Sequence, residues 1–364
     1  MDKSFSVVCT YILTHLSLIF FMYSDDIISS ADQGHWLPII LGVSVHIFII
    51  SIYMSGLKEF QNQDIVEIYS KGGKWMVILF LVPVSLYFLA AIILSVRAYS
   101  EIINIVFLSN TPLWTVMAVL LFISSYLASR GLEAIFRTGL LLTFLFIPLI
   151  FFIFLVSFQN VDWHYLFPIW PTSFKFLTTT SYLKSFFAIG GGFLFLGFVQ
   201  PYFSYKSKIV LIAALLLVPC FLISVYIPIL TFGDATASTF LFPFVTSIDS
   251  INLNWLMFDR ITMFFLMSLI TFIMLFISLV LWKLLRILHR GIPSAKHTYL
   301  TIIVSIFIYI VCLLIPNWND VSRLFLWNTF LRFYVMFSVP ISIYLLGLKA
   351  RKAGAGKKGE VKHA

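Results

Sequence analysis

The sequence predicts an all-α membrane protein with about ten transmembrane helices. Of its 364 residues 61% are hydrophobic and 11% are charged, whereas soluble domains carry about 25% charged residues. Apolar runs long enough for a helix to cross the hydrocarbon follow one another along the chain, and the short alternating segments of a β-barrel are missing. The predicted spans are 5–23, 36–56, 75–98, 112–128, 138–158, 185–203, 208–232, 261–282, 299–316 and 328–348.

Individual spans carry further signals. The first run, 5–23, has no small-residue cleavage site and precedes many more spans, so it is read as a helix and not as a signal peptide. The third is long and can continue past Arg97, and the seventh carries Pro219 and Pro228, which kink or end helices. Because no linker interrupts the series, we expect one transmembrane domain over 1–348 and a basic tail over 349–364.

The basic residues predict the orientation. With the amino terminus in the cytoplasm, most of the 24 Lys and Arg residues fall in inner segments, as the positive-inside rule requires. The charge of +9 therefore reflects topology and does not suggest a nucleic-acid partner. The inner segments hold Lys3, Lys58, Lys71, Lys74, Arg130, Arg137, Lys206, Lys208, Lys283, Arg286, Arg290, Lys296 and the tail. The outer segments hold Arg97, Lys175, Lys184, Arg260, Arg323 and Arg332.

The long outer loops predict an internal repeat. The loops 159–184 and 233–260 follow the fifth and seventh spans. Ten spans therefore divide into five plus five, with repeats over 5–158 and 185–348. An odd number of spans in each half requires the second half to be inverted, as in many secondary transporters. The first and sixth helices are then counterparts, and we expect both to be discontinuous.

Three glycines interrupt the sixth span. Gly190, Gly191 and Gly192 stand in a row, and each costs about 1 kcal/mol against alanine inside a helix. A break in a membrane helix persists only where protein or a water-filled cavity satisfies the freed backbone groups. The glycines therefore indicate either a discontinuous helix that lines a small-molecule cavity or a patch for close helix packing.

Charged residues near the span ends form three clusters. Arg97 and Glu101 are one helical turn apart and can pair. The second cluster consists of Arg130, Glu133 and Arg137, and the third of Asp259 and Arg260. A stabilising pair at a helix end is the simpler interpretation of each cluster, although charges beside membrane spans are often functional.

In these patterns the chain resembles the spore germination permeases, the B subunits of germinant receptors. The shared features are Arg97, Glu101 and Thr111-Pro112 after the third helix, Gly131-x-Glu133-x-x-x-Arg137, and Phe242-Pro243 followed by Asp259-Arg260. The resemblance extends from the first helix to the tenth. It implies the LeuT-like fold of the amino acid–polyamine–organocation transporter superfamily.

The resemblance also implies a place and partners. The protein would lie in the spore inner membrane with both termini in the cytoplasm. There it would act with an A subunit and a lipoprotein C subunit, bind a small, amino acid-like nutrient in a transporter-like cavity, and trigger germination. Two alternatives stay open: an amino acid permease, and an assembly subunit that binds no nutrient.

The first span departs from the superfamily because residues 13–19 contain no glycine. The backbone cradle that receives a substrate carboxylate in relatives is therefore not expected here. Where sodium-coupled relatives hold ion ligands, the eighth span offers only Ser268 and Thr271, which can equally well bond to backbone carbonyls one turn back. No carboxylate stands at a span centre to carry a proton. These absences favour a sensor over a pump.

The candidate ligand site combines small, apolar and few polar side chains. We expect it to be formed by Ser17, Tyr87, Ala91, Gly190, Gly191, Gly192 and Thr271. Ordinary packing is the alternative for each. His15 and His46, inside the first and second spans, are interpreted as hydrogen-bond partners between helices.

An enzyme is not expected. No phosphate-binding loop, HExxH or GxSxG motif occurs. Cys9, Cys220 and Cys312 lie inside apolar runs without disulfide or zinc spacing, so no metal or cofactor is implied.

Overall fold

Apolar helices follow one another in the order that hydropathy predicts. The computed structural model describes residues 3–60, 62–171, 173–190, 192–251 and 261–360, with side chains from Ser4 to Lys352 inside those ranges. Within these ranges we label ten helices: α1 (Ser4–Ile28), α2 (Trp36–Phe60), α3 (Lys74–Val106), α4 (Leu113–Ser129), α5 (Leu132–Asn160), α6 (Thr180–Val199), α7 (Ser207–Phe232), α8 (Ile261–Gly291), α9 (His297–Leu313) and α10 (Trp318–Lys352).

Eight of these described helices are long and apolar enough to cross a membrane, and α4 and α9 are shorter apolar helices. The predicted all-α fold is thus confirmed. Several helices are longer than the predicted spans, since the length criterion counts only the apolar part and helices continue into polar residues. The clearest case is α8, which continues past residue 282 to Gly291.

The interiors of α3, α8 and α10 hold basic residues that the orientation prediction counts with the inner or outer segments. The placement of Lys283 in an inner segment is wrong, because Lys283 lies within α8 and is 0% exposed. Arg97 and Arg332, assigned to outer segments, are each 1% exposed, within α3 and α10. These three residues lie inside the bundle, so the orientation prediction depends on the remaining basic residues.

Three helices form the centre of the bundle. In α1, α6 and α8, 83%, 88% and 72% of the most apolar window is buried, against 28–50% in the other long helices. The central helix α8 packs against α1, α3, α4 and α5, while α10 packs against α2, α3 and α6. A functional site inside the protein must therefore be built mainly on α1, α6 and α8.

Two of the central helices are irregular. In α1 the α-helix Lys3–Leu18 passes into a π-helical turn, Ile19–Tyr23, and returns to α at Ser24–Ile28. We expected α1 to be discontinuous, but this turn only widens the helix and does not unwind it, in a segment that contains no glycine. In α6 the helix Thr180–Gly190 ends at the glycines, and a 3₁₀ turn leads into Leu196–Val199.

Two outer helices differ from a single continuous span: α7 is divided, and α10 is unusually long. Leu217 separates two helical parts of α7, and Pro219 stands at the start of the second. The helix of α10 continues beyond Lys352, so that a single helix runs from Trp318 to Glu360 over 43 residues. The segment predicted as a basic tail is thus largely an extension of the last helix.

Candidate functional site

The break in α6 lies against α1 and α10. A Cβ atom at Gly190 would lie 2.6 Å from the sulfur of Met336, and one at Gly192 would overlap the imidazole ring of His15. Gly191, predicted for the same site, lies outside the described residues. The two described glycines therefore end the helix and also allow close contact with other helices, so the structure combines the two interpretations that the sequence left open.

Polar side chains surround the break. The Nδ1 atom of His15 lies 2.8 Å from the carbonyl oxygen of Tyr11, and the Tyr11 hydroxyl lies 2.6 Å from Nε2 of His46. Since a carbonyl only accepts, Nδ1 of His15 carries the proton and Nε2 is left as an acceptor. Neither Nε2 of His15 nor Nδ1 of His46 has a hydrogen-bond partner among the described residues, and both are buried.

Lys283 adds a cation to this region. Its ammonium nitrogen lies 4.3 Å from the centre of the Phe88 ring, and no hydrogen-bond partner or acidic side chain reaches it within the described part of the chain. Its charge is close enough to interact with His15. A cation at the centre of a membrane helix costs about 2.5–3.5 kcal/mol, and the face of one aromatic ring offsets only part of that cost.

We call Tyr11, His15, His46 and Lys283 the central polar cluster. Its members come from α1, α2 and α8 and border the α6 break through the contact of His15 with Gly192. The Nε2 atom of His15, the Nδ1 atom of His46 and the ammonium of Lys283 thus lie buried without hydrogen-bond partners among the described residues. Because buried polar groups in proteins are nearly always paired, this arrangement suits a small polar ligand that carries an anionic group.

The other predicted ligand residues differ in whether their polar groups are already hydrogen-bonded. The hydroxyls of Ser17 and Thr271 each donate to a carbonyl in the preceding turn, at 2.8 Å. The Tyr87 hydroxyl is buried without a partner among the described residues, and Ala91 is 1% exposed. Tyr87 and Ala91 thus supply a buried wall on α3, with Tyr87 within electrostatic reach of Arg332.

One end of the bundle is closed by ion pairs and a hydrogen bond between helices. The ammonium of Lys184 in α6 lies 3.3 Å from the carboxylate of Asp26 in α1. Arg332 of α10 donates to the carbonyl oxygen of Lys184 at 2.9 Å and lies over the ring of Phe187. Beside this closure, His35 and Asp234 approach to 3.3 Å and connect the ends of α2 and α7. These contacts separate the central polar cluster from that end of the protein.

The predicted charge clusters have different structures. Arg97 pairs with Glu101 and also donates to the carbonyl oxygen of Ile315 at 3.1 Å. Glu133 and Arg137 form an exposed pair at 2.5 Å. Arg130 does not join them, since its guanidinium donates to the hydroxyl of Tyr126 at 2.8 Å. Asp259 and Arg260 lie outside the described residues.

Sequence reasoning missed Lys283 and Arg332 as candidate site residues. For Lys283 the signal was available, because apolar residues continue on both sides of it and a longer eighth span would have enclosed it. Arg332 already lay inside the predicted span 328–348. No group of three His, Cys, Asp or Glu side chains is arranged to hold a metal in the described part of the protein.

Known proteins share both the sequence and the fold. The sequence profile of the family described as "Spore germination protein" matches residues 4–321. YfkT of Bacillus subtilis (strain 168), a protein named for spore germination, is 27% identical over 231 residues, which are 62% of this chain and 63% of that protein. The spore germination protein YndE of the same organism is 30% identical over 104 residues, 28% of each chain.

The fold is also that of a solved transporter structure. The crystal structure of MhsT in complex with L-phenylalanine matches with a TM-score of 0.60 and 16% identity, over 94% of this chain and 98% of that one. This likeness confirms the LeuT-like fold. The family and the fold are not those of an enzyme. Since the family profile covers most of its length, the chain belongs to the spore germination protein family.

Proposed function

We propose that the chain is the membrane subunit of a germinant receptor, which binds a small nutrient at the central polar cluster and thereby triggers germination. It acts with an A subunit and a lipoprotein C subunit in the spore inner membrane, with both termini in the cytoplasm. The observation that carries the proposal is the buried Lys283, which has no hydrogen-bond or acidic partner among the described residues and lies close enough to His15 for an electrostatic interaction.

The chemistry of the cluster favours an amino acid-like nutrient. A carboxylate would give the Lys283 ammonium the counter-charge that it lacks, and a charge-assisted hydrogen bond of this kind is worth about 1.5–3 kcal/mol. An ammonium or hydroxyl of the same ligand can donate to Nε2 of His15. Lys283 thus replaces the carboxylate cradle that the glycine-free first helix cannot provide.

The closed end of the bundle supports sensing. The Asp26–Lys184 pair and Arg332 must separate before a nutrient enters from that side. A ligand shifts such an equilibrium only by the difference between its affinities for the two states. We propose that the nutrient stabilises one arrangement of α1 and α6 relative to the other helices, and that the receptor partners respond to that arrangement.

The test replaces Lys283 by methionine, which keeps the length of the side chain without its charge. In spores with normal amounts of the protein, we expect Lys283→Met to raise the nutrient concentration for half-maximal germination about tenfold or more. The same variant, purified, should unfold at a higher temperature because an unpaired buried cation is gone. Lys58→Met, at an exposed lysine, is the matched control.

The outcomes separate the proposal from its two alternatives. A more stable Lys283→Met protein in spores that respond at an unchanged nutrient concentration would show that Lys283 is not at the nutrient site. Altered recovery of the partner subunits with unchanged nutrient response would favour an assembly subunit. Concentrative uptake of a labelled amino acid into reconstituted vesicles would favour a permease.

A further inference from the structure

A cavity lies at the end of the bundle opposite the Asp26–Lys184 pair. It has a volume of about 820 Å³ and is bordered by the connection between α4 and α5 and by the ends of α6, α8 and α9. This volume lies within the range of about 300–1,000 Å³ that is typical of small-molecule sites. The cavity is distinct from the central polar cluster, none of whose residues lines it.

The ionisable side chains that line this cavity are mainly basic. Three arginines and two histidines face it against a single carboxylate, and the residues concerned are Arg130, Arg137, Arg286, His289, His297 and Glu133. A concave basic surface with apolar walls attracts anions, because the surrounding low-dielectric material concentrates the field of the charges.

Two of the three arginines in the lining are already paired with carboxylates, and Arg130 is the exception. Arg137 is neutralised by Glu133, and Arg286 binds the carboxylates of Asp64 and Glu67 at 2.8 and 3.4 Å. Arg130 has no acidic partner within ion-pair distance in the described part of the chain. Its guanidinium donates to the Tyr126 hydroxyl and lies 4.9 Å from the centre of that ring, which leaves further N–H groups for a ligand.

Two neighbouring features favour the same type of ligand. The buried Nδ1 atom of His289, whose residue also lines the cavity, has no hydrogen-bond partner among the described residues. Gly131, with φ of +88°, precedes α5 and provides no side-chain cap, and Gly131, Leu132 and Glu133 all line the cavity, so the amino-terminal end of α5 lies at its wall. The positive end of a helix adds to the attraction of the arginine for an oxyanion.

We propose that this cavity binds a phosphate-bearing anion, with the phosphate held by Arg130 and the amino-terminal turn of α5. The planar guanidinium fork matches the oxygens of a phosphate group. Trp282 and Tyr202, also in the lining, provide apolar walls for the rest of the ligand. The phosphate belongs either to a soluble compound or to the headgroup of an anionic lipid.

The lipid source has a structural route. Tyr126, the hydrogen-bond partner of Arg130, also lines an apolar groove of about 540 Å³ between α4 and α9. An acyl chain in that groove would bring its headgroup to Arg130. This arrangement makes the two sources distinguishable, because only the lipid uses the groove.

The experiment uses the full chain in nanodiscs and two probes. For the soluble source, pyrophosphate is titrated in phosphatidylcholine discs against chloride at equal ionic strength, and the unfolding temperature is recorded. For the lipid source, native mass spectrometry measures how much phosphatidylglycerol the protein retains from mixed discs. Arg130→Gln is compared with Arg323→Gln, an exposed arginine in an ion pair far along the chain in α10.

We expect Arg130→Gln, but not Arg323→Gln, to weaken one of these interactions roughly tenfold or more. Saturable stabilisation by pyrophosphate that depends on Arg130 identifies a soluble ligand, and Arg130-dependent retention of phosphatidylglycerol identifies a lipid. Arg130→Lys, which keeps the charge without the planar fork, should give an intermediate value. If wild type and Arg130→Gln behave alike with both probes, the proposal is overturned. The nutrient response does not enter this test, so it stands or falls independently of the proposed function.

Discussion

Arg97 and Arg137 make the same type of ion pair in different surroundings. Each pairs with a glutamate one helical turn away, but the Arg97 side chain is 1% exposed and the Arg137 side chain is 78% exposed. Arg97 also donates to the carbonyl of Ile315, which follows α9. The spacing predicts both pairs, whereas the burial of one depends on a segment more than 200 residues away and could not be predicted from local sequence.

This contrast leads to a stability prediction. Arg97→Gln should lower the free energy of unfolding by about 2–3 kcal/mol, because it removes a charge-assisted bond and leaves buried carbonyls without a strong donor. Arg137→Gln should change it by less than about 0.5 kcal/mol, since water screens an exposed pair. Denaturant unfolding of both purified variants checks this difference, and equal losses would contradict the distinct roles of the two pairs.

The His35–Asp234 pair predicts a response to pH. Burial lowers the pKa of His35, and the Asp234 carboxylate opposes part of that effect. A base whose pKa is lower in the folded protein is protonated more readily in the unfolded chain. Its contribution to stability is therefore present above the ordinary value of about 6.5 and is lost as the pH falls below it.

We thus expect His35 to lower the stability as the pH decreases from about 7 to about 5.5, so that the unfolding temperature of wild type falls more, or rises less, over this range than that of His35→Gln. His164 offers the matched control, because it lies 2.7 Å from the Asp162 carboxylate but its side chain is 96% exposed. His164→Gln should leave the slope of unfolding temperature against pH unchanged. Parallel slopes in wild type and His35→Gln would show that burial of His35 does not set the pH response.

At the scale of the helices, the α6 break was predictable and its surroundings were not. The glycines at 190–192 predict an interruption from backbone cost alone. Contact with His15 requires α1 and α6 to lie side by side, a proximity that follows from the whole fold. The cation beside the break was missed for a different reason: a span that ends at residue 282 leaves Lys283 in a loop, whereas α8 continues to Gly291.

The break also predicts the effect of a single methyl group. In Gly192→Ala the new Cβ atom would overlap the His15 ring, and relief of the overlap should cost about 1–3 kcal/mol of stability and disturb nutrient binding. Gly291→Ala is the control, because a Cβ atom there meets nothing within 4 Å. Thermal unfolding and the germination response of both variants test this. A Gly192→Ala protein with unchanged stability and response would contradict the close packing of α1 against the break.

At the scale of the whole molecule, hydropathy and the resemblance were sufficient to predict the LeuT-like fold. The number and order of the helices depend on a pattern that repeats along the chain, so small errors at single boundaries do not change the fold. The central polar cluster depends on which face each helix turns inward. Its members are 4 to 272 residues apart, and no local pattern indicates that they meet.

The closed end of the molecule should open when its charges are changed. In a chain whose three cysteines are replaced by alanine, Ala91→Cys places a thiol at a position that is 1% exposed. Asp26→Asn removes the partner of Lys184, and we expect it to increase the rate at which a membrane-impermeant maleimide labels this thiol about tenfold, a shift of about 1.4 kcal/mol.

The matched control for this opening is Asp320→Asn, which breaks the Asp320–Arg323 pair of 3.7 Å in α10. Because the Arg323 side chain is 77% exposed, this change should leave the labelling rate as it was. Equal labelling with and without Asp26→Asn would mean that the Asp26–Lys184 pair does not hold the bundle closed.

The helix from Trp318 to Glu360 is longer than a membrane crossing requires. Its 43 residues span about 65 Å, roughly twice the thickness of the hydrocarbon core. Arg332, in the first half of this helix, connects it to α6 through the carbonyl oxygen of Lys184. If the closure at Lys184 rearranges and α10 tilts, we expect the end of α10 at Glu360 to move farther than the residues of the central polar cluster.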